Sequence, residues 1–272
     1  MHIDPDQNHF TTIVLAGDRS KTDSLIDHSG MSCKALIDID GIPMVRRVIS
    51  ALQGAKVVEN IVLSGPDEAE VESDKVLAQL VADEEVSWMP PQESPSASAY
   101  SVMQSLQADE PIILTTADHP LLTPEMVDAF GRQSLADDVD VTVGLAPYAL
   151  VHEAYPAMKK TVLRFSDGEF CGCNLFAFLT PEGRRAASFW RKIEQERKKP
   201  RVVIGLLGWW VVLRYQLGLL PLEEALAKLS KRLGLRLRVV ILPYANAAVD
   251  VDSIADYALV QGSFAKAAAE DV

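Results

Sequence analysis

A glycine and two cations follow the first apolar run of the chain, and together they have the chemistry of an anion site. The run Thr12–Ala16 stops at Gly17, Arg19 follows, and Lys34 comes later. Loops that open from a buried strand bind anions through exposed backbone N–H groups, and nearby cations offset the negative charge. The pattern indicates a phosphate site, although such strands occur in every α/β protein and loop cations are commonly solvated.

Asp118 follows a second apolar run, Ile112–Thr116, and precedes His119 and Pro120. Ligands bind at the carboxyl ends of strands in open α/β sheets, and a carboxylate there is well placed for a metal ion. The alternative is a loop aspartate that turns the chain before Pro120. His119 is likewise either a substrate contact or a solvated loop histidine.

Two more carboxylates, Asp250 and Asp252, lie at the end of a short strand-like segment, Ala247–Val251. We expect the geometry of this strand to let only one of the two carboxylates face a site, which favours Asp250. The alternative is that Asp252 and Ser253 only cap the helix that follows, where the helix dipole favours negative charge.

The composition excludes some classes of protein. The chain has 272 residues, of which 48% are hydrophobic, so it can bury a large core. A net charge of −12 leaves no basic face for a row of phosphates, which argues against nucleic acid as a partner. Three cysteines are an odd number and indicate a reducing compartment, and the polar residues 1–10 do not resemble a signal peptide. We therefore expect a cytoplasmic protein.

Strand-like runs alternate with helical patterns through the first half of the chain. Such alternation is typical of a parallel sheet with helices on both faces. The predicted strands are residues 12–16, 60–64, 86–89, 112–116 and 139–146, and the predicted helices begin at residue 43, cover residues 68–82, and begin again near residues 96 and 123. The sequence therefore predicts a three-layer α/β/α fold with a mostly parallel sheet.

The second half of the chain departs from this alternation. Residues 181–234, approximately, read as consecutive helices, which we interpret as a helical insertion in a single domain spanning residues 1–272. The other predicted elements of this half are a hairpin of residues 161–165 and 170–178, a strand of residues 236–242, and a terminal helix that Ser253 caps and that runs to about Ala269.

An apolar stretch, Val202–Leu213, lies inside the predicted insertion and contains Trp209 and Trp210. It is shorter than the roughly 18–20 residues that a bilayer span requires. Because basic residues precede it, the stretch lies either in a membrane interface or within protein, as a core helix or a helix that faces a second copy of the chain. We favour the buried interpretation and keep peripheral membrane contact and a homodimer as alternatives.

The order of the motifs resembles that of a known family. Leu15–Gly17, a later lysine at position 34, and Gly41–Met44 before a helix resemble the signature of MobA-like nucleotidyltransferases. Ala117–Pro120 is similar to the motif of the same family in which alanine or glycine precedes aspartate, any residue and proline. The resemblance implies a Rossmann-like fold of the nucleotide-diphospho-sugar transferase type.

Roles for the nucleotide-binding residues follow from this resemblance. In the family, a loop after the first strand wraps the triphosphate of a nucleotide and a lysine neutralises it. The matching residues are Ala16, Gly17, Arg19 and Lys34. The turn with Ser96 and Ser98 is similar to the one that the family places against the nucleobase, where small side chains let a backbone approach a flat ligand.

The resemblance also implies a metal site. The family's aspartate at the position of Asp118 holds Mg²⁺, and Asp250 is expected to complete the site, with Asp252 and Asn246 as the other candidates. Hard carboxylate and phosphate oxygens suit Mg²⁺. Cysteines 171 and 173 lack the second pair of ligands that a zinc site requires.

The resemblance implies a Mg²⁺-dependent nucleotidyltransferase that transfers a nucleoside monophosphate from an NTP to a phosphorylated small molecule and releases pyrophosphate. The acceptor is expected to be a sugar, polyol or lipid-head phosphate. Asn174 is similar to a strand residue that contacts the second substrate in related enzymes, or else is a polar residue at a strand edge. Two alternative functions stay open: a glycosyltransferase that uses a nucleotide-sugar, and a nucleotide-binding or membrane-docking protein without catalysis.

Overall fold

A mixed sheet of eight strands runs through the part of the chain that the computed structural model describes, namely residues 9–18, 24–136, 138–185, 187 and 209–270. Its strands are β1 (Phe10–Leu15), β4 (Val58–Ser64), β5 (Ser87–Met89), β6 (Ile112–Thr116), β7 (Val141–Pro147), β8 (Leu163–Phe165), β9 (Gly168–Phe178) and β10 (Leu237–Ile241). A separate antiparallel pair consists of β2 (Asp38–Ile39) and β3 (Ile42–Pro43).

The sheet is mostly parallel, as predicted. Its order is β10-β7-β9-β6-β1-β4-β5, with β8 paired to β9. β1 is parallel to both β4 and β6, β4 is parallel to β5, and β7 is parallel to β10. β9 runs antiparallel to β6, β7 and β8, so the predicted hairpin is the β8–β9 pair and β9 joins the two parallel parts of the sheet.

β1 lies in the middle of the sheet because its side chains can be buried on both faces. Five of its residues, Phe10 to Val14, are buried. Phe10 and Val14 pack into one apolar cluster, whereas Ile13 packs into another. A strand that is apolar on both faces is typical of a sheet covered by helices on both sides. The predicted three layers are therefore confirmed.

The direction in which the chain extends the sheet reverses beside β1. After β1, the chain adds β4 and β5 on one side and then crosses to add β6 on the other side. In open α/β sheets, ligands bind in the crevice outside the carboxyl ends of the strands at this reversal. Gly17 follows β1 and Asp118 follows β6, so the fold brings these two predicted site residues to the same crevice.

Helices connect the strands largely where the sequence predicts them. They are α1 (Ser24–Ser29), α2 (Met44–Gly54), α3 (Glu68–Ser73), α4 (Lys75–Ala82), α5 (Pro95–Ser105), α6 (Pro124–Leu135), α7 (Tyr148–Ala154), α8 (Trp209–Gln216), α9 (Leu222–Leu233) and α10 (Ile254–Glu270). The prediction of one helix over residues 68–82 is wrong, because the side chain of Asp74 caps α4 by accepting from the N–H groups of Val76 and Leu77.

The predicted strand Ala247–Val251 is also wrong. Ala245–Ala248 forms a short 3-10 helix instead, in which the N–H of Ala247 donates to the carbonyl of Tyr244 at 3.2 Å. The N–H of Val251 then donates to the carbonyl of Asp118 at 2.9 Å, so this backbone bonds to a loop and not to a neighbouring strand. The argument that favoured Asp250 over Asp252 is lost, and residues two apart in a strand would in any case share a face.

The region predicted as a helical insertion is partly described. Residues 181–185 are helical, and α8 and α9 follow, with α9 ending at Gly234 in the left-handed conformation. Residues 202–208 of the apolar stretch lie outside the described residues. Of the remainder, Val211 is buried, but Trp209 and Trp210 are 66% and 55% exposed, which contradicts the buried interpretation for these two rings. Within the described residues, no helix combines the length and the apolar character needed to cross a bilayer.

Asp140 joins the ends of β7, β9 and β10 on the side of the sheet opposite the crevice. Its carboxylate accepts from the backbone N–H and the guanidinium of Arg236, both at 2.7 Å, and from the hydroxyl of Thr180 at 2.8 Å. Its backbone carbonyl accepts from the N–H of Leu179. The Arg236 hydrogen bonds lower the pKa of Asp140 to about 2, although burial acts in the opposite direction.

We expect Asp140→Asn to lower the free energy of unfolding at pH 7 by about 2 kcal/mol, because a charged acceptor of several hydrogen bonds is lost. A carboxyl whose folded pKa is depressed stabilises the protein above its unfolded pKa, and this contribution disappears as the pH falls toward the folded pKa. Urea denaturation should therefore show the difference shrinking between about pH 4 and pH 2. The exposed Asp138→Asn, which removes another partner of Arg236, is the matched control and should cost under about 1 kcal/mol.

Candidate active site

The predicted nucleotide loop lies in the crevice at the carboxyl end of β1. Backbone hydrogen bonds join it to its neighbours, with the N–H of Ala16 donating to Ser64 at 2.9 Å and the N–H of Ala117 donating to Leu15 at 2.9 Å. The loops that follow β1, β4 and β6 therefore start at one level of the sheet. Arg19, the other predicted cation of this loop, lies outside the described residues.

Gly65 allows the loop after β4 to lie directly against the nucleotide loop. A Cβ atom on Gly65 would be 2.7 Å from the backbone nitrogen of Gly17, and the φ of Gly65 is +87°. Only glycine is free of strain in this conformation and at this distance. On the other side, a Cβ atom on Gly17 would be 3.1 Å from the side chain of Pro91. The loop is thus held between two neighbours.

Lys34 joins two of the predicted carboxylates. Its ammonium lies 2.7 Å from Oδ2 of Asp118 and 2.5 Å from Oδ1 of Asp252. The other oxygen of Asp118 accepts from the hydroxyl of Thr116 at 2.6 Å. Burial lowers the pKa of Lys34, but attraction by Asp118 and Asp252 outweighs burial and the pKa is raised. Burial raises the pKa of Asp118, and Lys34 outweighs that effect, so the carboxyl stays ionised.

A short helical turn and a hydrogen bond to Asp18 hold the backbone of Lys34, which positions its side chain. Lys34 starts a 3-10 turn, Lys34–Leu36, whose two following residues are buried in the core. Its N–H lies 3.2 Å from Oδ1 of Asp18, which anchors the lysine segment to the loop after β1. The carboxylate of Asp18 therefore accepts a hydrogen bond that holds the Lys34 segment against the loop after β1.

The structure separates Asp250 from Asp252. Asp252 lies with Asp118 and Lys34, whereas Asp250 forms an ion pair with Lys160 and accepts from Nδ2 of Asn174 at 3.2 Å. Two clusters result, of which only the second has equal numbers of positive and negative charges. The site cluster consists of Lys34, Asp118 and Asp252, and the second cluster consists of Lys160, Asp250 and Asn174.

His119 packs inside the protein between these clusters. It is 1% exposed, and its Nε2 lies 3.0 Å from the backbone carbonyl of Asn246. The side chain of Asn246 accepts from the hydroxyl of Tyr155 at 2.6 Å. Burial is the largest effect on the pKa of His119 and lowers it. His119 is thus not a solvated loop histidine, and Asn246 holds the loop instead of joining the site cluster.

The predicted nucleobase serines are buried. Ser96 is fully buried, and the hydroxyl of Ser98 accepts from the N–H of Gln92 at 2.8 Å. Ser94, which the sequence analysis did not single out, caps α5 by accepting from the N–H of Ala97. The hydroxyl of Ser98 therefore stabilises the turn before α5. A ligand at this turn would contact the backbone of the turn.

A third group with ligand-type side chains comprises Asp18, Cys33 and Glu70, whose ligand atoms lie within 4.8 Å of one another. Burial is the main cause that raises the pKa of Cys33 to about 12. A protonated thiol is a poor metal ligand. We therefore assign no metal to this group.

Sequence reasoning missed three residues that shape the site. Gly65 carried a signal in the Gly-Pro pair, which marks a turn. No sequence signal marked Thr116 or Lys160. A threonine in a strand and a lysine in a loop are common, and their roles depend on which residues the fold brings into contact with them. Both contacts join residues to the aspartates that the sequence did single out.

The fold and the site together define a nucleotide-dependent transferase of the α/β class. Residues 12–163 match the family model described as the MobA-like NTP transferase domain, which is more than half of the chain. The chain therefore belongs to the MobA-like NTP transferase family and is a nucleotidyltransferase. No curated protein sequence matches it.

Solved structures show the same fold. A hypothetical transferase from Thermus thermophilus is 27% identical, with a TM-score of 0.76 and coverage of 92% of this chain and 99% of that one. CMP:2-keto-3-deoxy-manno-octonic acid synthetase complexed with CTP is 15% identical, with a TM-score of 0.60 over 96% and 100% of the two chains. 4-Diphosphocytidyl-2C-methyl-D-erythritol synthase from Anaerococcus prevotii is 9% identical, with a TM-score of 0.54 over 95% and 96%.

The position of Lys34 generates a prediction about metal binding. Because its ammonium contacts both Asp118 and Asp252, a divalent cation that binds these two carboxylates would compete with it. We expect Lys34→Met to bind Mn²⁺ at least about fivefold more tightly than the wild type in the absence of nucleotide, since about 1 kcal/mol of competing attraction is removed. Electron paramagnetic resonance of free Mn²⁺ measures this affinity. Lys231→Met, on the exposed face of α9, is the control, and equal affinities for wild type and Lys34→Met would contradict the prediction.

Proposed function

We propose that this protein is a Mg²⁺-dependent nucleotidyltransferase that transfers a nucleoside monophosphate from an NTP to a phosphorylated small molecule and releases pyrophosphate. The observation that carries the proposal is the site cluster, in which one lysine joins Asp118 and Asp252 at the crevice beside Gly17. A cation and two carboxylates at this point can bind phosphate oxygens and a metal ion together.

The triphosphate is expected to bind over the loop after β1. Gly17 lies at the crevice end of β1, beyond Ala16, whose N–H is already bonded to Ser64, and Arg19 would add a second cation to Lys34. As the nucleotide brings its negative charge, the ammonium of Lys34 can exchange a carboxylate for phosphate oxygens. Fixed cations that meet charge as it develops are the largest source of catalysis in many enzymes.

The donor set fits Mg²⁺. Asp118 and Asp252 are carboxylates that already share one cation, and Mg²⁺ prefers hard oxygen ligands. We assign these two residues as the ligands, with Asp250 in reserve. A bound Mg²⁺ would supply positive charge to the phosphate oxygens of the nucleotide.

The proposed reaction is a direct displacement at phosphorus. An oxygen of the acceptor phosphate attacks the α-phosphorus, a new P–O bond forms, and the bond between the α-phosphorus and the bridging oxygen breaks. The electron pair leaves with pyrophosphate. A phosphate monoester is already anionic at neutral pH, so no side chain needs to remove a proton. The buried position of His119, which is occupied with the Asn246 carbonyl, agrees with a site that needs no general base.

The remaining assignments are part of the same proposal. The nucleobase would lie against the turn that Ser96 and Ser98 shape, and the acceptor would lie toward Asn174. We propose a single domain over residues 1–272 and a cytoplasmic location. The exposed Trp209 and Trp210 mark where peripheral membrane contact or a homodimer interface would form.

Pyrophosphate release tests this function directly. The purified protein would be incubated with Mg²⁺, each of CTP, GTP, UTP and ATP, and a panel of phosphorylated sugars, polyols and amino-alcohols. We expect release with one NTP and one acceptor class, and loss of release when EDTA removes the metal. Nucleotide binding without turnover across the panel, or turnover that EDTA leaves unchanged, would contradict the proposal.

If Asp118 and Asp252 hold the metal ion and Asp250 does not, substitution of the three aspartates should have different effects on activity. We expect Asp118→Asn and Asp252→Asn each to lower kcat by roughly 10²–10³-fold, because each removes a charged ligand at the reacting phosphates. Asp250→Asn should act mainly on the KM of the acceptor. The exposed Asp27→Asn is the control, and thermal melting should stay within a few degrees for all four variants. A larger loss of kcat in Asp250→Asn than in Asp252→Asn would reverse the assignment.

A further inference from the structure

Lys160 is a nearly buried cation that the proposed function leaves without a role. Its side chain is 10% exposed, and it forms an ion pair with Asp250, whose side chain is 24% exposed. The lysine follows α7 in a segment without regular secondary structure. Removing an ammonium group from water costs free energy, so a lysine at this depth needs an anion beside it. Its neighbour Lys159, in contrast, is exposed.

The second cluster adjoins the site cluster. Asp250 is two residues from Asp252, which contacts Lys34, and the backbone between them bonds to the Asp118 carbonyl. The charges of Asp250, Asp118 and Lys160 all act on the imidazole of His119, which packs between the clusters. The crevice therefore holds two lysines, each paired with carboxylates of the segment that enters α10.

Asn174, the residue proposed to contact the acceptor, binds the same carboxylate as Lys160. It has a φ of +50° inside β9, a left-handed conformation that a non-glycine residue rarely adopts within a strand. The register between β7 and β9 shifts at this point, between Val143 and Leu145. The shift turns the amide of Asn174 toward Oδ2 of Asp250 at 3.2 Å. The strand is thus distorted where its side chain joins the second cluster.

We infer that Lys160 binds the phosphate group of the acceptor, an inference that rests on the proposed function and supplies a cation for the second anionic substrate. Two anionic substrates must approach each other in this crevice. Lys34 is committed to the nucleotide, whereas Lys160 has an ammonium with three donors and a single anionic partner among its described contacts. When the acceptor phosphate binds, the ammonium of Lys160 donates both to the phosphate and to Asp250. Asn174 continues to donate to the carboxylate of Asp250.

This position gives Lys160 a defined part in the reaction. It would hold the non-attacking oxygens of the acceptor phosphate while the third oxygen forms the bond to the α-phosphorus. The bond to the bridging oxygen breaks, and the electron pair leaves on pyrophosphate. Lys160 donates hydrogen bonds throughout and neither gains nor loses a proton. Its effect is to reduce the repulsion between two phosphates that must come into contact.

Inorganic phosphate is a suitable probe, because it carries the group that Lys160 is proposed to bind and the natural acceptor need not be known. The protein would first be saturated with Mg²⁺ and an α,β-methylene analogue of CTP, GTP, UTP or ATP, whichever binds, so that Lys34 is already engaged. Isothermal titration calorimetry with phosphate would then report the second anion position. Wild type, Lys160→Ala, Lys160→Arg and Lys159→Ala form the set, with Lys159→Ala as the matched control.

We expect Lys160→Ala to bind phosphate at least tenfold more weakly than the wild type, Lys160→Arg to stay within about threefold because it keeps the charge, and Lys159→Ala to be unchanged. Affinity for the nucleotide analogue should stay within twofold in all variants, which also shows that they are folded. Acetate in place of phosphate should bind more weakly to the wild type, because it carries less charge than a phosphate.

The outcomes separate this inference from the proposed function. Phosphate affinity that is the same in Lys160→Ala and in the wild type would overturn the role of Lys160 and leave the nucleotidyltransferase proposal intact. Acetate that binds as tightly as phosphate would overturn the assignment to a phosphate. Failure of the wild type to bind any nucleotide analogue would overturn the proposed function and this inference with it. If Lys160→Ala does not fold, loss of phosphate binding in a folded Lys160→Met supports the role, and retained binding overturns it.

Discussion

One ammonium group shared by two carboxylates holds the functional end of this protein together. Lys34 lies after the first strand, Asp118 after β6, and Asp252 before the last helix, so three distant parts of the chain meet at a single charge. Two carboxylates this close repel each other unless a cation lies between them. The lysine therefore offsets one of the two negative charges and leaves the cluster with a net charge of −1. The loops around it are arranged to keep this contact at the crevice of the sheet.

Much of the fold was predictable because its physical causes are local. β1 and β6 are short apolar runs that end at small or acidic residues, and such runs become central strands of an α/β sheet. Ser94 and Thr123 precede proline at the starts of α5 and α6, where capping and a fixed φ favour a helix. The proximity of Gly17 and Asp118 was predictable for the related reason that strand order brings their loops together, whereas the role of Lys34 came from the family resemblance.

The choice between Asp250 and Asp252 was not predictable, because it depends on contacts that no short segment contains. The sequence of this region resembles a strand, but its backbone N–H groups find partners in a turn and in the loop after Asp118. Asp250 then meets Lys160, a residue in a connection without any motif. The left-handed conformation of Asn174 was not predicted for a similar reason: asparagine tolerates this conformation better than most residues, but it occurs here where the register between β7 and β9 shifts.

The contact between Lys34 and Asp252 also determines when the site comes into existence. The two residues are 218 positions apart in the sequence. Closing a contact over such a distance costs chain entropy, which slows its formation relative to local pairings. During synthesis, the sheet around β1, β4 and β6 can assemble while Asp252 is still to be made. Until that residue emerges, Lys34 and Asp118 face each other without their third partner, so this cluster is completed only after residue 252 has been made.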